Sequence, residues 1–333
     1  MSKDRGIRGN IMVKPAKFSY SKLNTYEQCG WKYHLTYDEG HFIPFNSIAT
    51  EIGSLIHACE ESIARTLQAG QKPDYDALRE MLQKGTPKLA GLDAIRDKYR
   101  EDYFATDEKG SSYYSRIVDY MENGIYRLEN YLAANPTFVV YGMEQFFSVS
   151  YHGHVLSGYI DRIFYDPTTE TYYVEDIKTK NKPFRDADVV TPLQFVVYVY
   201  ALAENLGVGY EHFKCAYDLP FLDRKQEAGT AGFMQRGLKK LDSLFTGIEE
   251  GNYEPGPSPL CAWCAFSPTN PEQPEEGKLL CPYYSLWTRE NKTHTVAHKW
   301  QGMDKHEAVM ADEIAKQVAK NASTTPVVNG FDW

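Results

Sequence analysis

Three short stretches between positions 157 and 198 carry side chains that could do chemistry together: Gly158-Tyr-Ile-Asp161, Asp176-Ile-Lys178, and Gln194 with Tyr198. If the first two lie in strands, side chains alternate faces. Asp176 and Lys178 then point one way, Glu175 and Ile177 the other. Neighbouring strands run ~4.8 Å apart, so Asp161 reaches the same face in the right register. Two carboxylates beside an ammonium suit a hard divalent cation such as Mg²⁺, which one or two carboxylates hold while water and phosphate fill the other positions. Lys178 would orient or deprotonate an attacking water. Gln194 and Tyr198, four residues apart, share a helix face. His57, with Glu61 four residues on, could join the same metal site, and imidazole suits Mn²⁺ better than Mg²⁺. Glu144, in the strand expected before Asp161, is an additional candidate acid. Each feature alone has a plainer reading, a surface ion pair or a satisfied core histidine. Their order and spacing together give the chemical reading its weight.

The elements that must position these residues follow from hydrophobic periodicity. Ile52, Leu55, Ile56, Cys59, Ile63 and Leu67 recur at three and four, which predicts a helix over 48–69 that carries His57. A helix is expected within 19–35, interrupted near Gly30. Residues 74–84, about 92–104 and 112–134 read as further helices, an inserted helical layer without a chemical motif. From 138 the period changes to short Val-, Ile-, Tyr- and Phe-rich runs broken by His152-Gly-His154 and Asp166-Pro-Thr-Thr, a strand meander. A helix over 192–206 follows, with Pro192 near its first turn and Gly207 just past its end. Then come a strand at 210–219 and a helix at 229–250. The expected fold is α/β, a mixed central β-sheet flanked by helices.

In combination these motifs resemble a known family. Ser19-x-Ser21-x-Leu23 with Tyr26 and Cys29, Gly53-x-x-x-His57, Gly158-x-Ile160-Asp161, Asp176-Ile-Lys178-Thr179 and Gln194-x-x-x-Tyr198 look like the PD-(D/E)xK nuclease superfamily. The similarity is to its RecB-like branch, which includes the AddB nuclease domain and the CRISPR-associated iron–sulfur exonucleases. The resemblance implies a restriction-endonuclease-like core, His57, Asp161 and Asp176 as metal ligands, Lys178 as the catalytic lysine, and Gln194 and Tyr198 as supporting residues near the substrate. Two positions depart from the pattern. Gly30 stands where a proline often follows the first cysteine, and Ile160, as is usual in this branch, stands where the family name has proline.

The chain has six cysteines. Cys261-Ala-Trp-Cys264 lies in a proline-rich loop, Cys281 follows after sixteen intervening residues, and Cys29 is the distant fourth. Cys59 and Cys215 fall in regular apolar elements, where a free cysteine is ordinary core. Four thiolates suit Zn²⁺ or a [4Fe–4S] cluster, and spacing alone does not choose. The division into one cysteine before the core and three after it is similar to the iron–sulfur members of the family, so a cluster is expected and zinc is the alternative. It would staple the chain ends across the core.

Lys178, Lys180, Lys182 and Arg185 crowd the expected metal site, and Arg224, Lys225, Arg236, Lys239 and Lys240 make a second basic group. Phosphate binding needs such local clusters. Tyr20, Tyr26, Trp31 and Tyr33 would either stack bases or pack around the cysteine site. A net charge of −9 excludes a generally basic binding protein but not a nuclease. The longest apolar run, Phe195 to Ala203, is nine residues, too short for a span of ~20. The first residues lack the apolar stretch of a signal peptide. The expected location is cytoplasmic, in a prokaryotic or phage-infected cell.

The expected organisation is a flexible tail at 1–14, a nuclease domain at 15–285 with its helical insertion at about 70–135 and cysteine segments at about 19–37 and 254–285, and a C-terminal helix and tail at 286–333. The expected activity is that of a metal-dependent DNA exonuclease on single-stranded DNA or DNA ends, in recombination, repair or replication. A structure-specific endonuclease, a non-catalytic DNA-binding or assembly module, and a zinc-stabilised adaptor are the alternatives. The sequence has no nucleotide-binding P-loop, so unwinding would fall to a helicase or recombination partner.

Overall fold

The computed structural model describes residues 16–43, 46–267, 280, 281 and 283. The tail at 1–14 and the helix expected near 303–320 lie outside the described residues. The chain opens with β1 (Lys17–Phe18), α1 (Tyr20–Gln28) and α2 (Gly30–Tyr33). Next come α3 (Ile48–Gln68) and five shorter helices, α4 (Tyr75–Lys84), α5 (Leu92–Lys98), α6 (Arg100–Phe104), α7 (Tyr113–Glu122) and α8 (Arg127–Ala134). The meander is β2 (Val139–Tyr151), β3 (His154–Asp166) and β4 (Thr171–Ile177). It is followed by α9 (Asp186–Val190), α10 (Leu193–Leu206), β5 (Phe213–Leu219), β6 (Arg224–Ala228) and α11 (Phe233–Glu249).

The strands form one mixed sheet. β3 is its long axis. Along one edge it pairs antiparallel with β2. Along the other it pairs parallel with β1 at Val155 and Leu156, then antiparallel with β4 from Arg162 to Asp166. Between those two partners the residues 157–161 have no ladder partner on that edge among the described residues, which leaves a notch ending at Asp161. β4 pairs parallel with β5, and β5 antiparallel with β6.

Helices cover both faces. α10 is apolar almost all round, as a helix between two packed layers must be. Ten of its residues are buried, and all but Gln194 are joined in one core with Leu23, Ile160, Val174 and Leu241. The 21-residue stretch 186–206 is long and apolar enough to cross a membrane, but 61% of its apolar 18-residue window is buried in the fold, and it is two helices parted at Thr191-Pro192. It is core. On the other face α3 packs Ile52, Leu55, Ile56, Cys59 and Ile63 against the inserted helices and Phe164. α3 starts with a capping box of Ser47 and Thr50.

Two elements escape the sequence pattern. β1 is only two residues. β6, Arg-Lys-Gln-Glu-Ala, has no apolar alternation and is an edge strand, where charged residues are favoured. Its Lys225 also corrects the second basic group. Lys225 is turned inward onto Glu175 and stands over the Tyr131 ring, Arg236 bonds Thr191, Ala231 and Thr230, and Lys240 pairs with Glu27. Three of the five residues of that group are thus engaged within the fold, and Arg224 and Lys239 are exposed.

Below the notch lies a buried ionic cluster. Arg162, fully buried, donates to Glu175 on β4 (2.7 and 2.9 Å), Glu60 on α3 (3.1 Å) and Asp218 on β5. Arg127 on α8 reaches Asp218 (2.7 Å), and Tyr120 donates to Glu60 (2.8 Å). Three cations, Arg162, Arg127 and Lys225, thus face three buried carboxylates. Burial opposes the charge of Asp218, but Arg162 and Arg127 outweigh it and hold the carboxyl at about 2. At Glu60 burial wins and the carboxyl is pushed up despite Arg162. Removing one partner of such a cluster strands the others in the interior. Arg162→Met is expected to destabilise the fold by about 3–5 kcal/mol in urea denaturation, and a loss within experimental error would refute this account.

Candidate active site

The residues that the sequence singled out converge at the notch. One step beyond the last β3–β4 pair, Arg162 with Glu175, the register sets Asp161 opposite Asp176. An Asp161 oxygen accepts the Ile177 N–H at 2.7 Å. His57 on α3 bonds the Ile177 carbonyl through Nε2 at 2.8 Å. As the donor there, Nε2 leaves Nδ1 as the lone-pair nitrogen, and Nδ1 faces Asp161 at 3.6 Å. One backbone residue therefore orients both side chains.

Asp176 is 1% exposed. One oxygen accepts from Gln194 Nε2 at 2.6 Å, and the same amide nitrogen donates to the Tyr198 hydroxyl at 2.9 Å. The other oxygen, Oδ2, has no aligned hydrogen bond, although Lys178 Nζ stands 2.5 Å away as an ion pair. Lys178 follows the end of β4, and its backbone N–H bonds the Asp218 carbonyl, which keeps its side chain on the side of Asp176. Burial pushes Asp176 up to about 7, opposed by Lys178 and reinforced by Asp161.

The tightest set of ligand atoms differs from the expected one. Among the described residues, one oxygen of Glu144, one of Asp161 and one His57 nitrogen lie within 4.8 Å of one another. Asp176 stands outside that trio, and Glu144, expected only as an additional acid, stands in it. The cause is a flip in β2. Glu144 has φ 45°, a left-handed conformation costly for a side-chain-bearing residue. Met143 is buried in the core on the α3 side and Phe147 in the core on the α10 side, although regular alternation would put both on one face. The flip aims Glu144 toward α3. Burial, with Asp161 and Glu61, pushes its carboxyl up to about 7.

This donor set fits a hard divalent cation. Oxygen donors, one imidazole, a buried carboxylate oxygen without an aligned partner, and carboxyls whose charge the site disfavours would all gain from a cation. Gly158 of the family-like motif has a packing reason: a Cβ there would meet the Phe147 ring at 3.2 Å. Next to the site, Lys180 lies over the Phe184 ring (3.6 Å), Lys182 is exposed, and Arg185 pairs with Asp188.

The four cysteines Cys29, Cys261, Cys264 and Cys281 line one pocket. Each sulfur has a backbone N–H: Lys32 and Gly256 at Cys29 (3.4 and 3.3 Å), Ser258 at Cys261 (3.4 Å), Phe266 at Cys264 and Tyr283 at Cys281. Burial pushes the Cys264 and Cys281 thiols up. Such N–H groups stabilise thiolate ligands. Among the described residues no three of these sulfurs lie within 4.8 Å of one another. A tetrahedral zinc site needs sulfurs about 3.8 Å apart. Gly30 explains its departure from the family pattern: a Cβ there would come within 2.9 Å of the backbone at Tyr253 and Glu254, and its N–H bonds Glu254 O. Cys59 and Cys215 are buried in the two main cores. The aromatic residues nearby pack rather than present faces. Tyr33 is buried, Tyr26 bonds Asn252 O, and Trp31 meets Tyr283 edge-on.

The model of the PD-(D/E)XK nuclease superfamily matches residues 17–269. The chain belongs to that superfamily. The superfamily match extends from β1 past α11 and beyond the C-x-x-C at Cys261–Cys264, and it brings a nucleic-acid substrate and a metal-dependent nuclease fold. Among solved structures, the chain is similar to a "Putative exonuclease" from Eubacterium rectale, with 16% identity, a TM-score of 0.38, and coverage of 71% of this chain and 82% of that one. SSO0001 is more distant, with 15% identity, a TM-score of 0.23, and coverage of 75% and 94%. No curated protein matches with significance.

Glu144→Gln is expected to weaken Mn²⁺ binding about tenfold or more in titration calorimetry, without lowering the melting temperature. An unchanged affinity would remove Glu144 from the metal site.

Proposed function

We propose that this superfamily member is a metal-dependent DNA exonuclease acting on single strands or DNA ends. The observation that carries the reading is the convergence of His57, Glu144 and Asp161 beside the buried Asp176–Lys178 pair. His57, Asp161, Asp176 and Glu144 would hold Mg²⁺ or Mn²⁺. The bound cation supplies Lewis-acid stabilisation of charge on the phosphoryl oxygens. Ile177 orients His57 and Asp161, Gln194 orients Asp176, and Tyr198 closes the wall behind Gln194. Lys178 is placed to orient the attacking water and to offset developing negative charge. The exonuclease reading draws on the similarity of the motif set to the RecB-like iron–sulfur exonucleases, and Lys180 and Lys182 offer phosphate contacts at the same end of the sheet.

Asp176→Asn and Lys178→Ala are each expected to lower cleavage of an end-labelled oligonucleotide roughly 10²-fold or more in folded protein. Labels at the 5′ and 3′ ends separate progressive end release from internal nicking. A loss of twofold or less would sink the assignment.

For the cysteine site the reading is a [4Fe–4S] cluster held by Cys29, Cys261, Cys264 and Cys281 in a structural role. The division into one cysteine before the core and three after it, with an N–H at each sulfur, favours it over zinc. Protein purified without oxygen is expected to contain iron and sulfide. Cys264→Ala is expected to lose them, with lower melting temperature and soluble yield but retained activity per folded molecule. Cys59→Ala and Cys215→Ala keep the metal. Colourless protein with stoichiometric zinc would overturn the cluster.

A further inference from the structure

Two large aromatic side chains stand in the open beside the candidate metal site. Phe146 and Tyr159 are directly paired across the β2–β3 ladder, and their rings lie 5.3 Å apart. They are 54% and 57% exposed. Tyr159 is two residues from Asp161 on β3, and Phe146 is two residues from Glu144 on β2. Their sequence neighbours Ile160 and Phe147 are buried in the core on the α10 side. Strand alternation therefore puts Phe146 and Tyr159 on the opposite surface. Alternation breaks at Asp161, between Ile160 on the α10 side and Arg162 on the α3 side, and its carboxylate lies 3.6 Å from His57 of α3, while Glu144 is turned toward Glu61 and Arg65 of the same helix. Two residues along a strand is about 6.6 Å. The rings thus continue the surface on which the metal ligands lie, at the notch where the edge of β3 away from β2 has no ladder partner among the described residues.

Packing does not account for two rings left in water at this place, whereas Tyr26, Trp31 and Tyr33 of the N-terminal segment are engaged with Asn252, Tyr283 and Tyr253. Resting on the nuclease reading above, we propose that Phe146 and Tyr159 form a stacking subsite for the bases of a single-stranded substrate whose phosphate is held at the metal site. Base stacking on aromatic rings tolerates any sequence, because every base has a π-face. In a duplex those faces are already stacked, so the subsite selects unpaired strands. The chemistry on the page favours nucleobases over a protein partner because the pair is continuous with carboxylates suited to a phosphate-binding cation.

The test uses the full chain carrying Asp176→Asn, so that cleavage does not interfere, and oligothymidylate with one 2-aminopurine, whose fluorescence falls on stacking. The parent is expected to bind and quench the probe. Adding Phe146→Ser and Tyr159→Ser is expected to raise Kd at least tenfold, which is about 1.4 kcal/mol, and to abolish the quench. Tyr141→Ser is the control: Tyr141 is exposed near the start of β2 and packs edge-on to Tyr172. It should leave Kd unchanged. Phe146→Trp, which needs no loss of apolar volume, is expected to keep the affinity and show indole quenching on binding.

Serine variants that bind within twofold of the parent, or a Phe146→Trp indole that oligothymidylate does not quench, would overturn the proposal. So would intact binding with altered self-association in light scattering, which would assign the pair to a protein contact. If the wild-type protein cleaves single strands in an Asp176-dependent way while the serine variants bind normally, the stacking inference alone falls. If the wild type neither binds nor cleaves oligonucleotides, the nuclease reading falls with it.

Discussion

The buried guanidinium of Arg162 is the constraint on which the site depends. It draws together Glu60 of α3, Glu175 of β4 and Asp218 of β5 while sitting on β3 itself. Each partner is close in the chain to a site residue: Glu60 to His57, Glu175 to Asp176, and Arg162 to Asp161. Asp218 holds Lys178 through its backbone carbonyl. Along β4 the strand period separates two jobs, with Glu175 in the ionic cluster on the α3 side and Asp176 turned to Gln194 of α10 on the other. Such a cluster adds little net stability, since desolvation offsets much of its Coulombic gain. What it contributes here is geometry. Arg162 and its three partners come from four separate elements, which the guanidinium ties into one mutual arrangement.

The site above it is built against local preference. Asp176 and Glu144 are buried enough that their charged forms are disfavoured, and Glu144 sits in a left-handed backbone conformation. Departures of this kind gather at functional sites, where the rest of the fold over-determines them. A divalent cation is the species that would relieve the crowded carboxylates, and the imidazole beside them is held with its nitrogen turned inward. The same site geometry that raises the carboxyls therefore prepares a cation site.

Much of this was legible in the residues. The α3 stripe, the β3–β4 hairpin, the shared side of Asp176 and Lys178, and the bond from Gln194 to Tyr198 all follow from periods of 3.6 and 2. The elements that were not legible share a cause. β6 reads as a solvated charge run because its lysine is satisfied inside by Glu175, a partner 50 positions away. Arg162 and Glu175 read as outward charges because alternation shows which side a residue takes, not whether that side is covered. The inserted helices cover it. Glu144 took its place through a backbone flip that no periodicity carries. Tyr20, Tyr26, Trp31 and Tyr33 have the composition of a stacking surface, and only packing distinguishes the two uses: Tyr26, Trp31 and Tyr33 meet Asn252, Tyr283 and Tyr253, and Tyr20 packs on the main core.

The cysteine-bearing segment acts on the same core from its other end. Residues 252–256 meet the α1–α2 junction through Tyr26 to Asn252 O, Gly30 to Glu254 O and Gly256 to the Cys29 sulfur. Cys29 lies at the C-terminal end of α1, a helix about 13 Å long. The opposite end of α1 faces the site, where Tyr20 is close enough to Asp176 for that carboxylate, after burial, to raise its hydroxyl pKa. That end has its own anchors: β1 on β3, Phe18 in the core, and the Ser19 cap on Lys22. A metal or cluster on the four thiols would therefore hold the remote end of α1 and the chain's later segment, while the catalytic end is fixed by the sheet. Pinning and hydrolysis share a helix but not a set of contacts.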